Sequence, residues 1–173
     1  MEEPGIKIID SFLNEPEKLF QYLTDNVRWE ERMKARKTAS FGVSYDYSGI
    51  TYEQTKIPEV LLPICKNVEK EIGFLPNNIL LNYYPDGSSS MGYHSDSSEE
   101  LLPETGVVII SVGSEREISY KNKYDKDLVV KYLLKAGALL YMDNEVQEKW
   151  LHAIPKKNGI GPRISLTFRH IIK

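Results

Sequence analysis

Apolar and polar positions along this chain change their period near residue 78. Upstream the spacing is helical. After a short apolar entry strand at Ile6–Ile9, Leu19, Phe20 and Leu23 recur at the interval of one helix face, and that pattern runs to about Asp25. Asn14 is the expected N-cap, with Pro16 and Glu17 in the first turn. A second helix is expected to open at Ile57-Pro58, with Val60, Leu61, Ile64, Val68 and Ile72 as its apolar stripe. Pro63 is tolerable there because it lies near the start, and Gly73 is a suitable stop. Downstream the period shortens to that of strands. Ile79–Tyr84 ends at Pro85-Asp86-Gly87, a strong turn signal. Val107–Val112 is nearly all apolar, as a central strand would be. Strand-like runs follow at Arg116–Lys121, Leu128–Leu134, Ala138–Met142, Trp150–Ile154 and Arg163–Ile172. About eight strands with short turns predict a mainly β domain with N-terminal helices, a sandwich or barrel.

Composition adds bounds. At 173 residues the chain is long enough for one domain with a substantial core. Hydrophobic residues make up 41% and charged residues 27%, the balance of a water-facing globular protein. No apolar run reaches the roughly 18 residues that a membrane span needs. The acidic start Met1-Glu2-Glu3 does not look like a secretion signal, and the lone Cys65 sits among apolar residues at helical spacing. These features predict an intracellular protein, cytoplasmic or nuclear, with Cys65 structural. A monomer is expected. A net charge of −3 is not that of a strong duplex binder. Arg28, Arg32, Lys34, Arg36 and Lys37 nonetheless cluster against only Glu30 and Glu31, close to Trp29, Phe41, Tyr45 and Tyr47. Such a run is either a solvated face or a surface for phosphates and bases.

Candidate chemistry centres on His94-Ser95-Asp96 and the distant His152. The chain has only three histidines. Two ligands two residues apart on an extended segment point the same way, and a third from elsewhere would complete an open facial triad for Fe(II). His170 follows Arg169 and should face away from it, so it is read as non-ligating. Arg163 and Arg169, six apart, share one face of a strand and flank an apolar Leu-Thr-Phe stretch. Two forked cations on one face suit the two ends of a dicarboxylic acid.

The order Asn82-x-Tyr84, His94-x-Asp96, His152, then Arg163-x5-Arg169 within Pro-Arg-Ile-Ser-Leu-Thr-Phe-Arg resembles the AlkB family of Fe(II)- and 2-oxoglutarate-dependent dioxygenases. The resemblance covers most of the chain and includes Arg36–Gly42 and Tyr45–Gly49, which are similar to a substrate lid. It implies a double-stranded β-helix, or jelly-roll, with the metal at its open mouth. It implies one domain over 1–173, with helices and lid in 1–77 and the jelly-roll core in 78–173.

The resemblance also implies roles. His94, Asp96 and His152 would bind Fe(II), and 2-oxoglutarate and O2 would be cosubstrates. Arg169 would pair with the 1-carboxylate of 2-oxoglutarate. Arg163, Asn82 and Tyr84 would hold the 5-carboxylate, with Thr167 lining the pocket. Tyr45 or Tyr47 would pack against a target base, and Arg36 and Lys37 would contact phosphates. The implied reaction is oxidative demethylation of alkylated bases, releasing formaldehyde, succinate and CO2. Many base-repairing members carry an acid two residues after the metal-binding aspartate; here that position is Ser98, which implies weak discrimination among methylated bases. Val27-Arg28 stands where some duplex-acting members insert an apolar wedge, so single-stranded DNA or RNA is the expected partner, with Trp29 as an alternative wedge. A dioxygenase acting on a protein or small molecule, or a binding module that has lost catalysis, would keep the same fold.

Overall fold

The computed structural model describes residues 2–172. In chain order the elements are β1 (Lys7–Ile9), α1 (Pro16–Asn26), β2 (Lys37–Gly42), β3 (Tyr45–Tyr47), β4 (Ile50–Tyr52), a 3-10 turn (Glu59–Leu61), α2 (Leu62–Ile72), β5 (Asn78–Tyr84), β6 (Met91–His94), β7 (Val107–Gly113), β8 (Arg116–Asn122), β9 (Val129–Leu134), β10 (Leu139–Met142), α3 (Asn144–Lys149), β11 (Trp150–Ile154) and β12 (Arg163–Arg169). Local chemistry accounts for the helix ends. Helix α1 starts at Pro16, whose fixed φ suits a first turn; its N-cap is Glu15, not Asn14, and no side-chain cap bond forms. Helix α2 starts at Leu62 rather than at Pro58. Pro63 has no N–H to give to Glu59, so the preceding turn closes with the shorter bond from Leu62 N–H to Glu59 O. Gly73 ends α2 at φ 106°, a conformation that a side chain would strain.

The strands form a six-stranded sheet, in the order β1-β10-β7-β12-β5-β2, and a four-stranded sheet, in the order β6-β11-β8-β9. All the pairings are antiparallel, and the architecture is the expected jelly-roll. The near-continuous apolar runs occupy central positions: β7 and β12 pair over six residues, and β12 pairs with β5 over seven. Strands β1 and β2, from the N-terminal half, are the outer strands of the larger sheet.

Alternation divides the buried residues into two cores. Leu23, Leu61, Val68, Ile79, Leu81, Val108, Ile110 and Phe168 fill the layer between α1, α2 and the large sheet. Tyr84, Ile118, Tyr120, Leu140, Met142 and Trp150 fill the layer between the sheets. Complete burial of such side chains is worth roughly 1.5–3 kcal/mol each.

Four strands, β2, β3, β4 and β6, and helix α3 lie outside the expected set. Strand β2 falls inside the segment read as lid, and Thr38 and Ala39 are buried in the sheet. The hairpin β3–β4 and helix α3 have too few residues to display a period.

Candidate metal and dicarboxylate site

His94 is the last residue of β6, and the antiparallel register sets it directly opposite His152 on β11. Their rings lie 4.3 Å apart. Asp96 lies two residues beyond the end of the paired strand, and its carboxylate reaches the same cluster as His94, as expected of two ligands two apart. Gln147 on α3 also holds Asp96, accepting from its backbone N–H at 2.9 Å and donating to Oδ2 at 3.4 Å. Asp96 Oδ1 is 3.6 Å from His94 Nε2, and Oδ2 is 3.9 Å from His152 Nε2.

One ligand atom from each of the three residues lies within 4.8 Å of the others. Two imidazoles and one carboxylate at that spacing fit a divalent iron with an open face. His94 Nδ1 pairs with the carbonyl of Gly92 at 2.8 Å, which leaves Nε2 toward the cluster. His170 lies elsewhere, held by the Leu75 carbonyl at 2.7 Å.

The electrostatics favour metal-ready ligands. Burial alone would raise the Asp96 carboxyl, but Arg169, His152, His94 and Gln147 outweigh it and hold the group below its ordinary 3.8. Burial pushes His152 down to about 4, against the opposing pull of Asp96, so its imidazole is neutral near pH 7. Neutral imidazole and ionised carboxylate are the forms that bind metal.

A cavity runs inward from this cluster. Asn82 and Tyr84 of β5 and Arg163, Ser165, Thr167 and Arg169 of the neighbouring β12 line one wall, and Met91, Ile118, His152 and Ile154 of the smaller sheet line the other. The period of two thus carries both arginines to one wall. Arg169 Nη2 lies 3.6 Å from Asp96 Oδ2, beside the cluster, and its guanidinium sits 4.9 Å over the Tyr45 ring. Arg163 is farther along the strand. Its Nη2 donates to Ser111 Oγ at 2.9 Å and its guanidinium lies 5.2 Å from the Tyr84 ring. Burial lowers the Arg163 pKa from its ordinary value and raises that of the Tyr84 hydroxyl.

Nε and Nη1 of both Arg163 and Arg169 are buried with no hydrogen-bond partner among the described residues. Buried donors of that kind need acceptors. Two such forks on one cavity wall fit a dicarboxylate.

Two expectations are corrected around the mouth. Arg36 is buried rather than free for phosphates. Its Nε donates to Asn82 Oδ1 at 2.9 Å, Nη1 to Ser90 O at 3.0 Å and Nη2 to the Tyr47 hydroxyl at 2.6 Å. That bond commits the acceptor end of Asn82 to Arg36, so the opposite, donor end of the amide remains for a ligand. Trp29 is packed against the helix-side core, edge-on to Tyr83 at 5.2 Å, and is no wedge. Within the segment read as lid, β2 is part of the large sheet, and the β3–β4 hairpin is tied to β2 by a hydrogen bond between Tyr52 and Thr38. There Tyr45 and Tyr47 stack with centroids 6.5 Å apart, and Tyr47 lines the cavity.

Lys37, on the other face of β2, remains at the surface and pairs with Glu31 at 3.3 Å. Ser98 is exposed in the loop after Asp96. Gln147 and the fully buried Arg116 are additions that sequence reasoning missed. Arg116 Nη2 donates to the carbonyls of Ser89 and Pro155, which pins two loops together. The only signal for it was an arginine in register with the inward-facing Ile118 and Tyr120.

Comparison with known proteins agrees with this geometry. Residues 11–169 match the family described as the 2OG-Fe(II) oxygenase superfamily. The chain is 30% identical over 181 residues to a Homo sapiens protein named DNA oxidative demethylase ALKBH2, covering 94% of this chain and 69% of that one. It is 31% identical over 179 residues to the Bos taurus alpha-ketoglutarate-dependent dioxygenase alkB homolog 3, covering 92% of this chain and 63% of that one. The chain thus spans about two thirds of the length of these relatives. Among solved structures, that of OsALKBH1 superposes with a TM-score of 0.71 at 19% identity, covering 98% of this chain and 100% of that one. No described helix is long and apolar enough to cross a membrane.

Proposed function

The chain belongs to the 2OG-Fe(II) oxygenase superfamily, in its AlkB-like branch, and from that premise we propose that it oxidatively demethylates alkylated bases in single-stranded DNA or RNA. It is a dioxygenase whose cofactors are Fe(II), 2-oxoglutarate and O2. The observation that carries the substrate reading is the stacked Tyr45–Tyr47 pair beside Arg169, an aromatic platform at the mouth of the metal cluster. Flat aromatic platforms take nucleobases with little sequence preference. The names of the relatives, a DNA oxidative demethylase among them, support the same class.

Each residue has a role in this reading. His94, Asp96 and His152 hold the iron. Arg169 pairs with the 1-carboxylate of 2-oxoglutarate. Arg163, the donor end of Asn82 and the Tyr84 hydroxyl take the 5-carboxylate, and Thr167 shapes the wall. When bound, iron, 2-oxoglutarate and O2 supply an oxidant able to hydroxylate an N-methyl carbon, one oxygen atom going to succinate and one to the methyl carbon, with succinate, CO2 and formaldehyde as products. The last step requires no general acid or base from the chain, because an N-hydroxymethyl group collapses unaided. Tyr45 and Tyr47 stack on the base and exclude water, and the Arg36 bond to Tyr47 sets the ring's position. Lys37 contacts phosphate. Ser98 has no charge with which to tell methylated adenine from methylated cytosine.

The preference for single strands rests on Arg28 and Trp29. A base inside a duplex must be flipped out, and flipping leaves a gap to be filled. Arg28 is exposed and charged, and Trp29 is half-buried, its ring packed against the helix-side core and Tyr83. Single-stranded substrate needs no filler.

The test is a panel of N-methylated oligonucleotides, DNA and RNA, single- and double-stranded, alongside methylated peptides, with formaldehyde and succinate both quantified. Equal release of the two from single strands, above that from duplexes, is expected. Coupled turnover on peptides with none on oligonucleotides would overturn the substrate class.

A further inference from the structure

Asp96 is the one member of the cluster that no strand holds. Strand β6 stops at His94, so the loop that follows must be fixed by other means. One side chain does this twice: Gln147 Oε1 takes the Asp96 N–H, and Gln147 Nε2 donates to Asp96 Oδ2. Gln147 is itself well anchored. It is buried on α3, whose N-cap Asp143 accepts from Val146 N–H. Lys123 Nζ donates to the Gln147 carbonyl at 2.7 Å, and Lys123 N–H donates to the Lys149 carbonyl at 2.9 Å. Arg169 Nη2 also faces Oδ2. No hydrogen bond among the described residues reaches Oδ1, which lies 3.6 Å from His94 Nε2.

We propose that Gln147 is a positioning residue that restricts Asp96 to coordination through Oδ1 alone. The proposal rests on the reading that His94, Asp96 and His152 hold the iron. A carboxylate turns easily about its last bond and can bind a metal through one oxygen or two. Binding through two would occupy one of the three positions that a facial triad leaves open. Engaging Oδ2 from outside prevents that rotation. The amide is the side chain that fits the task, since it accepts from a backbone N–H and donates to a carboxylate at once. Glutamate would keep the first bond, lose the second and set a like charge against Oδ2.

The experiment uses Co(II) as the probe, with no turnover involved. Wild type, Q147A, Q147E and D96A are compared by equilibrium dialysis and by the visible absorption of bound Co(II), which reports coordination number, after circular dichroism has confirmed the fold. Loss of an outer partner of a metal ligand commonly weakens affinity 10- to 100-fold. Q147A is expected to fall in that range, and both Gln147 variants should show altered Co(II) bands. Q147E matches glutamine in size, so it decides the question alone if Q147A does not fold.

Wild-type affinity and wild-type bands in the folded Gln147 variants, with D96A losing Co(II), would overturn the positioning role alone. Co(II) binding by D96A as tight as by wild type would overturn the metal-triad reading beneath it.

Discussion

Replacing Arg163 by methionine separates a structural cation from a cosubstrate clamp. Arg163 is 1% exposed, donates to the neutral hydroxyl of Ser111, and has two guanidinium nitrogens without acceptors among the described residues. No carboxylate pairs with it among the described residues. A buried charge so poorly compensated contributes little to the stability of the empty protein. Methionine fills similar space with no charge, and the main loss is the Ser111 bond, about 1 kcal/mol. The metal-loaded but 2-oxoglutarate-free variant should therefore melt within a few degrees of wild type, or above it.

With 2-oxoglutarate the prediction reverses. A buried carboxylate deprived of its partner loses roughly 3–5 kcal/mol, by analogy with broken buried pairs. At about 1.4 kcal/mol per decade this is a weakening of roughly 100- to 4000-fold. Ligand at about 100 times its Kd stabilises wild type by roughly 2.7 kcal/mol, and the same concentration stabilises the variant by at most about 0.4. For a domain of this size the melting shift is then about 5–11 °C in wild type and about 1 °C in the variant. The assay is scanning calorimetry with Mn(II) in place of iron, with and without 2-oxoglutarate, supported by titration calorimetry. An undiminished ligand-induced shift in Arg163→Met would refute the clamp. So would a large drop in melting temperature with unaltered affinity.

Other perturbations give sharp expectations. Asp96→Ala should abolish uptake of 2-oxoglutarate-dependent O2 while leaving the circular dichroism spectrum close to wild type; normal O2 consumption would remove Asp96 from the site. Lys37→Ala should change melting by little, because its pairing with Glu31 is at the surface, and should reduce the slope of log binding constant against log salt by roughly 0.7–1 on single-stranded oligonucleotides. An unchanged slope would free Lys37 from the phosphate role. Burial pushes the Cys65 thiol from 9.0 up to about 11, so the native protein should resist thiol-modifying reagents at pH 8 until it unfolds. The raised folded pKa also sets a sign. The neutral thiol's contribution to stability is complete below pH 9 and lost as pH rises from 9 toward 11, and prompt native-state labelling at pH 8 would contradict the assignment.

Much of the site was legible because its parts follow local rules. The spacing of Arg163 and Arg169 needs only the period of a strand to bring both to one wall, and the structure adds Ser165 and Thr167 between them as that period requires. The apolar runs of β5, β7 and β12 and the Gly73 stop were readable for the same reason: they depend on covalent geometry and on burial, both written in neighbouring residues.

What depended on distant contacts was not readable. Arg36 looks like a surface cation beside Lys37 and Lys34, and it becomes buried because Asn82, Ser90 and Tyr47 supply it with acceptors from three other segments. Trp29 was a candidate wedge until Tyr83 and the core took its ring. Asp96 reaches the cluster as its spacing from His94 predicts, but the support it takes from Gln147, 51 residues away, carries no local signal. The sequence alone determined which side chains face inward along each strand, since alternation is a property of the backbone itself. Only the tertiary structure decided which buried polar groups meet, because that depends on the register between strands and the path of loops that carry no period.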